Sequence, residues 1–308
     1  MRVLLTGGRG MLGTAIRSEI AERRDDVELH VATRAEADLR DAAATRRLIE
    51  EVKPDAIVHA AARVGGIAAN MADPTGFLLD NMLIDSSLLG AAIDLRVPEL
   101  LYLGSSCMYP KDYRQPLVES DVLAAPLEPT NEGYALAKIS SSRLCSYASE
   151  QYGLAYRTII PSNLYGPYDD FTLDRGHMVA AAIAKTHAAK ESGAEYVDVW
   201  GDGTARREFT YVLDLSRWMI DQLGHLTDLP PLLNVGCGYD KSVREFYEIA
   251  REVVGYDGEL KFDPTRPAGM KQKLMDSTLA RSHGWDPSTT IEAGMAEVYA
   301  HYRRTLSD

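Results

Sequence analysis

Directly after its first apolar run, Arg2 to Thr6, the chain carries the sequence GGRGMLG from Gly7 to Gly13, with glycines spaced as G-x-x-G-x-x-G. Arg2 to Thr6 reads as a short buried strand, and Leu12, Ile16 and Ile20 beyond the glycines follow helical spacing. Glycine at such a strand-to-helix turn permits a tight reversal and a close backbone approach to a pyrophosphate, whose charge meets free N–H groups at the helix N-terminus. The turn thereby nominates Gly7, Arg9, Gly10, Met11, Leu12 and Gly13 as dinucleotide contacts.

The alternation begun there continues. Glu28 to Thr33 reads as a strand, Ala44 to Val52 as a helix and Ala56 to Ala61 as a third strand. Phe77 to Leu95 then suits a long helix, Leu100 to Ser105 a strand, Tyr134 to Tyr152 a second long helix ended by Gly153, and Tyr156 to Ile160 a further strand. Strands alternating with helices imply an α/β fold of Rossmann type, a doubly wound parallel sheet with right-handed crossovers. From Asn163 onward Gly166, Pro167 and Gly193 break the pattern, and 308 residues exceed what one core comfortably fills. The expected organisation is a dinucleotide-binding domain over 1–165 with a segment returning at about 206–236. A smaller C-terminal substrate-binding lobe is expected over 166–205 and 237–308.

With 33 Lys and Arg against 45 Asp and Glu the net charge is −12, which repels nucleic acid and anionic membrane surfaces. The apolar run before Gly7 is too brief for a signal peptide, and no stretch approaches the ~18 apolar residues of a membrane span. Three cysteines, Cys107, Cys145 and Cys237, point to reduced thiols and a cytoplasmic location. No metal is expected.

The second expected strand ends at Thr33-Arg34. A free ribose 2′-hydroxyl usually meets an acid there, whereas a 2′-phosphate calls for arginine, so Arg34, helped by Arg9, favours NADP(H), with Asp38 near the adenine edge. Tyr134 and Lys138 lie four residues apart on one helix face, where the ammonium is expected to lower the phenol's pKa and fit it for proton exchange near neutral pH. Ser105, Ser106 and Cys107 end a strand on the side where parallel sheets bind ligands, and the Ser105 hydroxyl can donate to the carbonyl that Tyr134 protonates.

A glycine turn, a strand-end serine and Tyr-x-x-x-Lys together resemble the extended short-chain dehydrogenase/reductases. Longer stretches are similar to the GDP-L-fucose synthase family up to about Trp285: AARVGGIAAN from Ala61, LGSSCMYPK from Leu103, LEPTNE from Leu127, PSNLYGP from Pro161 and REF from Arg207. The resemblance implies an NADPH-dependent enzyme that inverts carbons 3 and 5 of a GDP-4-keto-6-deoxy sugar and then reduces carbon 4. Ser105, Tyr134 and Lys138 would serve the reduction, while Cys107 and His177 would exchange protons at the inverted carbons. It also implies cofactor contacts at Ala60, Tyr134, Lys138, Pro161, Asn163 and His177, and substrate contacts at Ser106, Cys107, Asn163, Lys185, Trp200, Arg207 and Lys273. A homodimer built from the two long helices is implied too.

The chain departs from that pattern at Lys185, where arginine is usual, and at Asp170, Gly133, Tyr211 and Leu213. These changes surround the sugar pocket, so a GDP-6-deoxy-heptose or a single inversion also fits. A 4,6-dehydratase would carry Thr-Asp-Glu in place of Ser105-Ser106-Cys107, a 4-epimerase fits poorly with Arg34, and a nucleotide-sensing protein would commonly lose the tyrosine or lysine.

Overall fold

The computed structural model describes residues 1–172, 177–266 and 270–307. In chain order its elements are β1 (Arg2–Thr6), α1 (Met11–Arg23), β2 (Glu28–Val31), α2 (Ala42–Val52), β3 (Ala56–His59), a short α3 (Ile67–Ala72), α4 (Pro74–Asp94), β4 (Glu99–Leu103), α5 (Glu132–Tyr152) and β5 (Ala155–Pro161). Then follow β6 (Asn163–Tyr165), α6 (Met178–Ser192), β7 (Tyr196–Trp200), β8 (Arg206–Arg207), β9 (Phe209–Tyr211), α7 (Val212–Gln222) and β10 (Leu232–Val235). The chain closes with β11 (Lys241–Ser242), α8 (Val243–Val254), β12 (Glu259–Asp263), β13 (Gln272–Lys273), α9 (Thr278–Arg281) and α10 (Ile291–Thr305).

Six strands form one parallel sheet in the order β10-β5-β4-β3-β1-β2. Its central strands are apolar without interruption because helices cover both faces. Side chains alternate between two cores: Val3, Leu5, Val58, Leu101 and Ile159 pack under α1 and α7, and Leu4, Ile57, Leu100, Tyr102 and Tyr156 under α2, α4 and α5. The chain steps from β1 out to β2 and returns to β3 on the other side of β1. That reversal opens a crevice beyond the carboxyl ends of β1 and β3. The fold is the Rossmann-type α/β sheet the sequence implies.

Two expectations are corrected. The second strand stops at Val31 rather than Thr33, because the Thr33 N–H and hydroxyl donate to the Glu36 carboxylate at 2.7 and 2.8 Å and form a turn. By length and composition, α4 is apolar enough to cross a membrane, with mean hydropathy 1.3 over its best window. It instead packs against α2 and α5, and its polar Asn81, Asp85 and Ser87 are buried inside the protein.

A third apolar cluster joins Tyr165, α6, β7, Phe209 and Tyr211 of β9, α8 and α10. Three small sheets surround it: β6 beside β9, β7 beside β12, and β8 between β11 and β13.

Candidate active site

A cavity of about 520 Å3 runs from the glycine turn to α5. Every residue the sequence assigned to the cofactor lines it: Gly7, Arg9, Gly10, Met11, Leu12 and Gly13 on the turn, Arg34 and Asp38 after β2, Ala60 after β3, and Tyr134, Lys138, Pro161, Asn163 and His177. The glycines have different reasons to be there. Gly7 has φ +73°, and a Cβ on it would lie 2.6 Å from the Ala60 carbonyl; one on Gly13 would lie 2.2 Å from the Gly7 oxygen. Gly10 faces no such obstacle, since its Cβ would meet only the Gly7 oxygen at 3.5 Å. It caps α1 without any side-chain bond, leaving the first N–H groups of the helix directed at the cavity.

Arg9 and Arg34 are exposed at the cavity's rim and make no side-chain hydrogen bond or ion pair among the described residues. Asp38 is occupied by Arg40, whose fork meets its oxygens at 2.7 and 3.1 Å and holds its pKa down at about 2. Asp38 therefore contributes a fixed, paired charge.

At the other end β4 delivers Ser105, whose hydroxyl accepts the Cys107 N–H at 3.2 Å and caps the single turn Ser106–Met108. Beside it stands Tyr134 on the first turns of α5. The expected acidification of this phenol is corrected. Burial pushes its pKa well up, the Cys107 thiol and Asp85 carboxyl push the same way, and only the Ser105 hydroxyl opposes them. Lys138 is 2% exposed and turns toward Asp85 and Tyr102, with Nζ 3.9 Å from the Asp85 carboxylate and 4.6 Å from the Tyr102 ring. Burial lowers the lysine's pKa and Asp85 resists that shift.

Cys107 receives an amide N–H from Asn131 at 3.1 Å. Asn131 sits at the N-cap of α5 yet its side chain does not cap it: Nδ2 donates to the sulfur, and Oδ1, the atom that would accept a helix N–H, is buried without a partner. His177, half exposed at the N-cap of α6, shares its Nδ1 with the buried Asp169 at 2.9 Å. That hydrogen bond raises the histidine's pKa against the opposing effect of burial. The geometry leaves Nε2 as the ring nitrogen available to a ligand.

The substrate residues fall into two groups. Lys273 Nζ lies 3.5 Å from the Ser106 hydroxyl, and strand register sets Lys273, Arg207 and Lys241 abreast across β13, β8 and β11. Residues directly opposite on neighbouring strands point to the same face, so three cations form one row suited to a diphosphate. Lys241 is tied to Glu292 at 3.2 Å. Trp200 is exposed, with Lys185 5.7 Å and Arg266 5.3 Å from its ring centre. None of Lys185, Trp200, Arg207 and Lys273 lines the nucleotide cavity itself. Asn163 lines that cavity, while its Nδ2 donates to the Glu208 carbonyl at 3.2 Å.

Residues 3–236 match the model of the NAD dependent epimerase/dehydratase family. The chain belongs to that family. Within it, the chain is 41% identical to GDP-L-colitose synthase of Yersinia pseudotuberculosis, with 98% of each protein covered. It is 43% identical to GDP-L-fucose synthase of Escherichia coli strain K12, covering 97% of this chain and 95% of that protein. Among solved structures, a GDP-mannoheptose C4 reductase from Campylobacter jejuni with NADP bound superposes with a TM-score of 0.90 at 28% identity, covering 98% of both chains.

Sequence reasoning missed Asp85, His59, Asn131, Asp169 and Lys241 as part of this family member's site. Asp85 had a weak signal, an acid one turn before the apolar run Leu88-Leu89 of α4. Lys241 had none, since only the pairing of two-residue strands brings it beside Arg207.

Proposed function

We propose that the protein binds NADPH in the 520 Å3 cavity and converts a GDP-4-keto-6-deoxy sugar by inverting carbons beside the ketone and reducing carbon 4. The observation that carries this reading is the meeting of Ser105, Tyr134, Lys138 and His177 along the cavity, with Cys107 two residues beyond Ser105. NADPH supplies the hydride when bound. Free helix N–H groups at the glycine turn hold its pyrophosphate, and Arg9 and Arg34 face its 2′-phosphate.

Both carbons flanking a ketone carry acidic protons, so their removal leaves an enolate whose oxygen Ser105 and Tyr134 stabilise by hydrogen bonds. Cys107 and His177 exchange those protons, and Asp169 keeps the imidazole in the tautomer whose Nε2 faces the sugar. Tyr134 then delivers its proton to the alkoxide formed at carbon 4. The row of Arg207 and Lys273 meets the diphosphate, and Trp200 with Lys185 offers a ring face and a cation to the nucleoside. Residues 1–165 and about 206–236 form the cofactor lobe, and 166–205 with 237–308 the substrate lobe. The six-strand sheet, with β10 of the returning stretch at its edge, supports the first lobe, while the third apolar cluster crosses the boundary by joining Tyr165, Phe209 and Tyr211 to α6, α8 and α10, and β8 and β9 pair outside the main sheet.

The test is NADPH consumption with GDP-4-keto-6-deoxy-mannose, together with solvent deuterium uptake without cofactor. Deuterium at two sugar carbons supports double inversion. Deuterium at one carbon favours the second reading, a single inversion, which the departures at Lys185, Asp170, Gly133, Tyr211 and Leu213 around the sugar pocket leave open. Reduction without deuterium uptake, on a heptose substrate, would remove the inversion altogether.

The three cysteines are unpaired, which supports a cytoplasmic location. The exposed face of α4 and α5 carries Leu79, Met82, Leu83 and Leu136, and a second copy of the chain packing there as a four-helix bundle would cover them.

A further inference from the structure

Behind Lys138 lies a chain of buried polar groups, Thr6, His59, Asp85 and Tyr102, that the proposed chemistry does not use. Thr6, His59, Asp85 and Tyr102 are each 0% exposed and Lys138 is 2% exposed. The Ala61 N–H donates to the Thr6 hydroxyl at 3.3 Å, and that oxygen lies 2.7 Å from His59 Nδ1. His59 Nε2 in turn lies 3.0 Å from Asp85 Oδ1. An ionised carboxylate only accepts, so Nε2–H donates to Asp85 Oδ1, and with the ring proton there Nδ1 accepts the Thr6 hydroxyl proton. The Tyr102 hydroxyl donates to Asp85 Oδ2, the same oxygen that faces Lys138 Nζ at 3.9 Å. Asp85 therefore has both oxygens occupied, by neutral donors from β3 and β4 and by an ammonium from α5.

We propose that Asp85 is a positioning residue: it is the buried counter-ion that holds Lys138 as an ammonium beneath Tyr134, anchored through His59 to the Thr6 hydroxyl at the end of β1 and through it to the Ala61 backbone after β3. A lone ammonium this deep would shed its proton. The titratable groups facing the pair are His59, Tyr102, Cys145 and Tyr134, and Asp85 is the one carboxylate among them. Hydrogen bonds and Lys138 keep Asp85 ionised at about 2, and its charge pushes the Cys145 thiol and Tyr102 phenol upward.

The arrangement gives the lysine charge a fixed depth and direction. Lys138 can lean from Asp85 toward Tyr134 or a ribose hydroxyl without losing its proton, because the carboxylate stays behind it. The consequence for reduction rests on the function proposed above; the charge state of Lys138 does not.

The experiment follows the Lys138 side chain by 13Cε-lysine NMR across pH in the full chain, with the signal assigned through Lys138→Arg. In Asp85→Asn the midpoint should fall by at least about one pH unit. The rate of 4-keto reduction at neutral pH should fall about tenfold or more, while the KM for the sugar nucleotide stays within about threefold. A folded Asp85→Asn protein whose Lys138 titrates as in the wild type overturns the proposal. A shifted Lys138 in a protein that reduces no nucleotide sugar upholds it and sinks the function instead.

Should Asp85→Asn not fold, the double variant Asp85→Asn/Lys138→Met decides. Removing both charges should restore folding that removal of one destroys, since an orphaned buried charge costs more than a missing pair. A double variant no more stable than the single one refutes the counter-ion role.

Discussion

Replacing Gly10 by alanine separates what the glycine turn does for the fold from what it does for a ligand. Gly10 has φ −76° and ψ 171°, a conformation alanine adopts freely. The added Cβ would stand 3.5 Å from its nearest neighbour, an ordinary contact. Alanine is a poor N-cap but restricts the unfolded chain, so stability should change by less than about 1 kcal/mol. A phosphate oxygen bonded to the first α1 N–H groups at ~2.9 Å would, however, meet the new methyl inside van der Waals contact and retreat. Losing one charge-assisted hydrogen bond costs about 1.5–3 kcal/mol, or roughly ten- to a hundredfold in the dissociation constant.

Nicotinamide fluorescence titration beside urea unfolding measures both quantities in one preparation. Gly13→Ala is the contrasting control. Its Cβ would sit 2.2 Å from the Gly7 oxygen and 2.6 Å from the Gly8 Cα, so the backbone itself must shift and stability should fall by about 1–3 kcal/mol. A folded Gly10→Ala protein that binds NADPH within threefold of wild type would refute the placement of the pyrophosphate at this turn.

Arg34→Ala should weaken NADPH about tenfold and leave NADH within about threefold, read as the ratio of the two constants. Because Asp169 raises the pKa of His177, the pair stabilises the fold below the ordinary histidine value and loses that contribution as pH rises through the raised one; Asp169→Asn should move the His177 NMR midpoint down, and the upper limb of the deuterium-exchange profile with it. Burial lifts the Glu208 carboxyl to about 7, so the folded protein keeps a proton the unfolded chain sheds. Stability should therefore decline between about pH 4.5 and 7, and Glu208→Gln should flatten that slope in urea midpoints. Sedimentation tests the dimer proposed above: the unmodified chain should sediment as a dimer and Leu79→Glu, on the exposed face of α4, as a folded monomer.

What the sequence made legible was local. The glycine turn, the buried strands and the two long helices each declare themselves within about twenty residues, and the cavity collects every residue assigned to the cofactor, though not Cys107. Boundaries slipped where a side chain outcompeted the ladder, as when Glu36 drew the Thr33 backbone out of β2. Illegible were contacts that only tertiary register makes. The fold turns the amide of Asn131 to a sulfur 24 positions earlier in the chain. Lys273 meets Ser106 across a sequence separation of 167 residues.

The electrostatics of the tyrosine were misjudged for a related reason. Helical spacing puts Lys138 one turn from Tyr134, and spacing alone suggests that the two charges speak chiefly to each other. Spacing says nothing about what stands behind the lysine. Desolvation dominates both groups, and Asp85 sets an opposite charge 3.9 Å from Lys138, so the phenol is raised instead of lowered. For a reduction that outcome is serviceable. Hydride arrival at carbon 4 creates an alkoxide that needs a proton, and a phenol held firmly neutral is always loaded to give one. The demand for Lys138 then falls on the tyrosinate left behind, at the moment when an ammonium kept charged by Asp85 can lean toward it. In the mechanism we propose, a raised phenol and a reserved ammonium are two parts of one proton-delivery device, and removing Asp85 should disable the second while leaving the first in place.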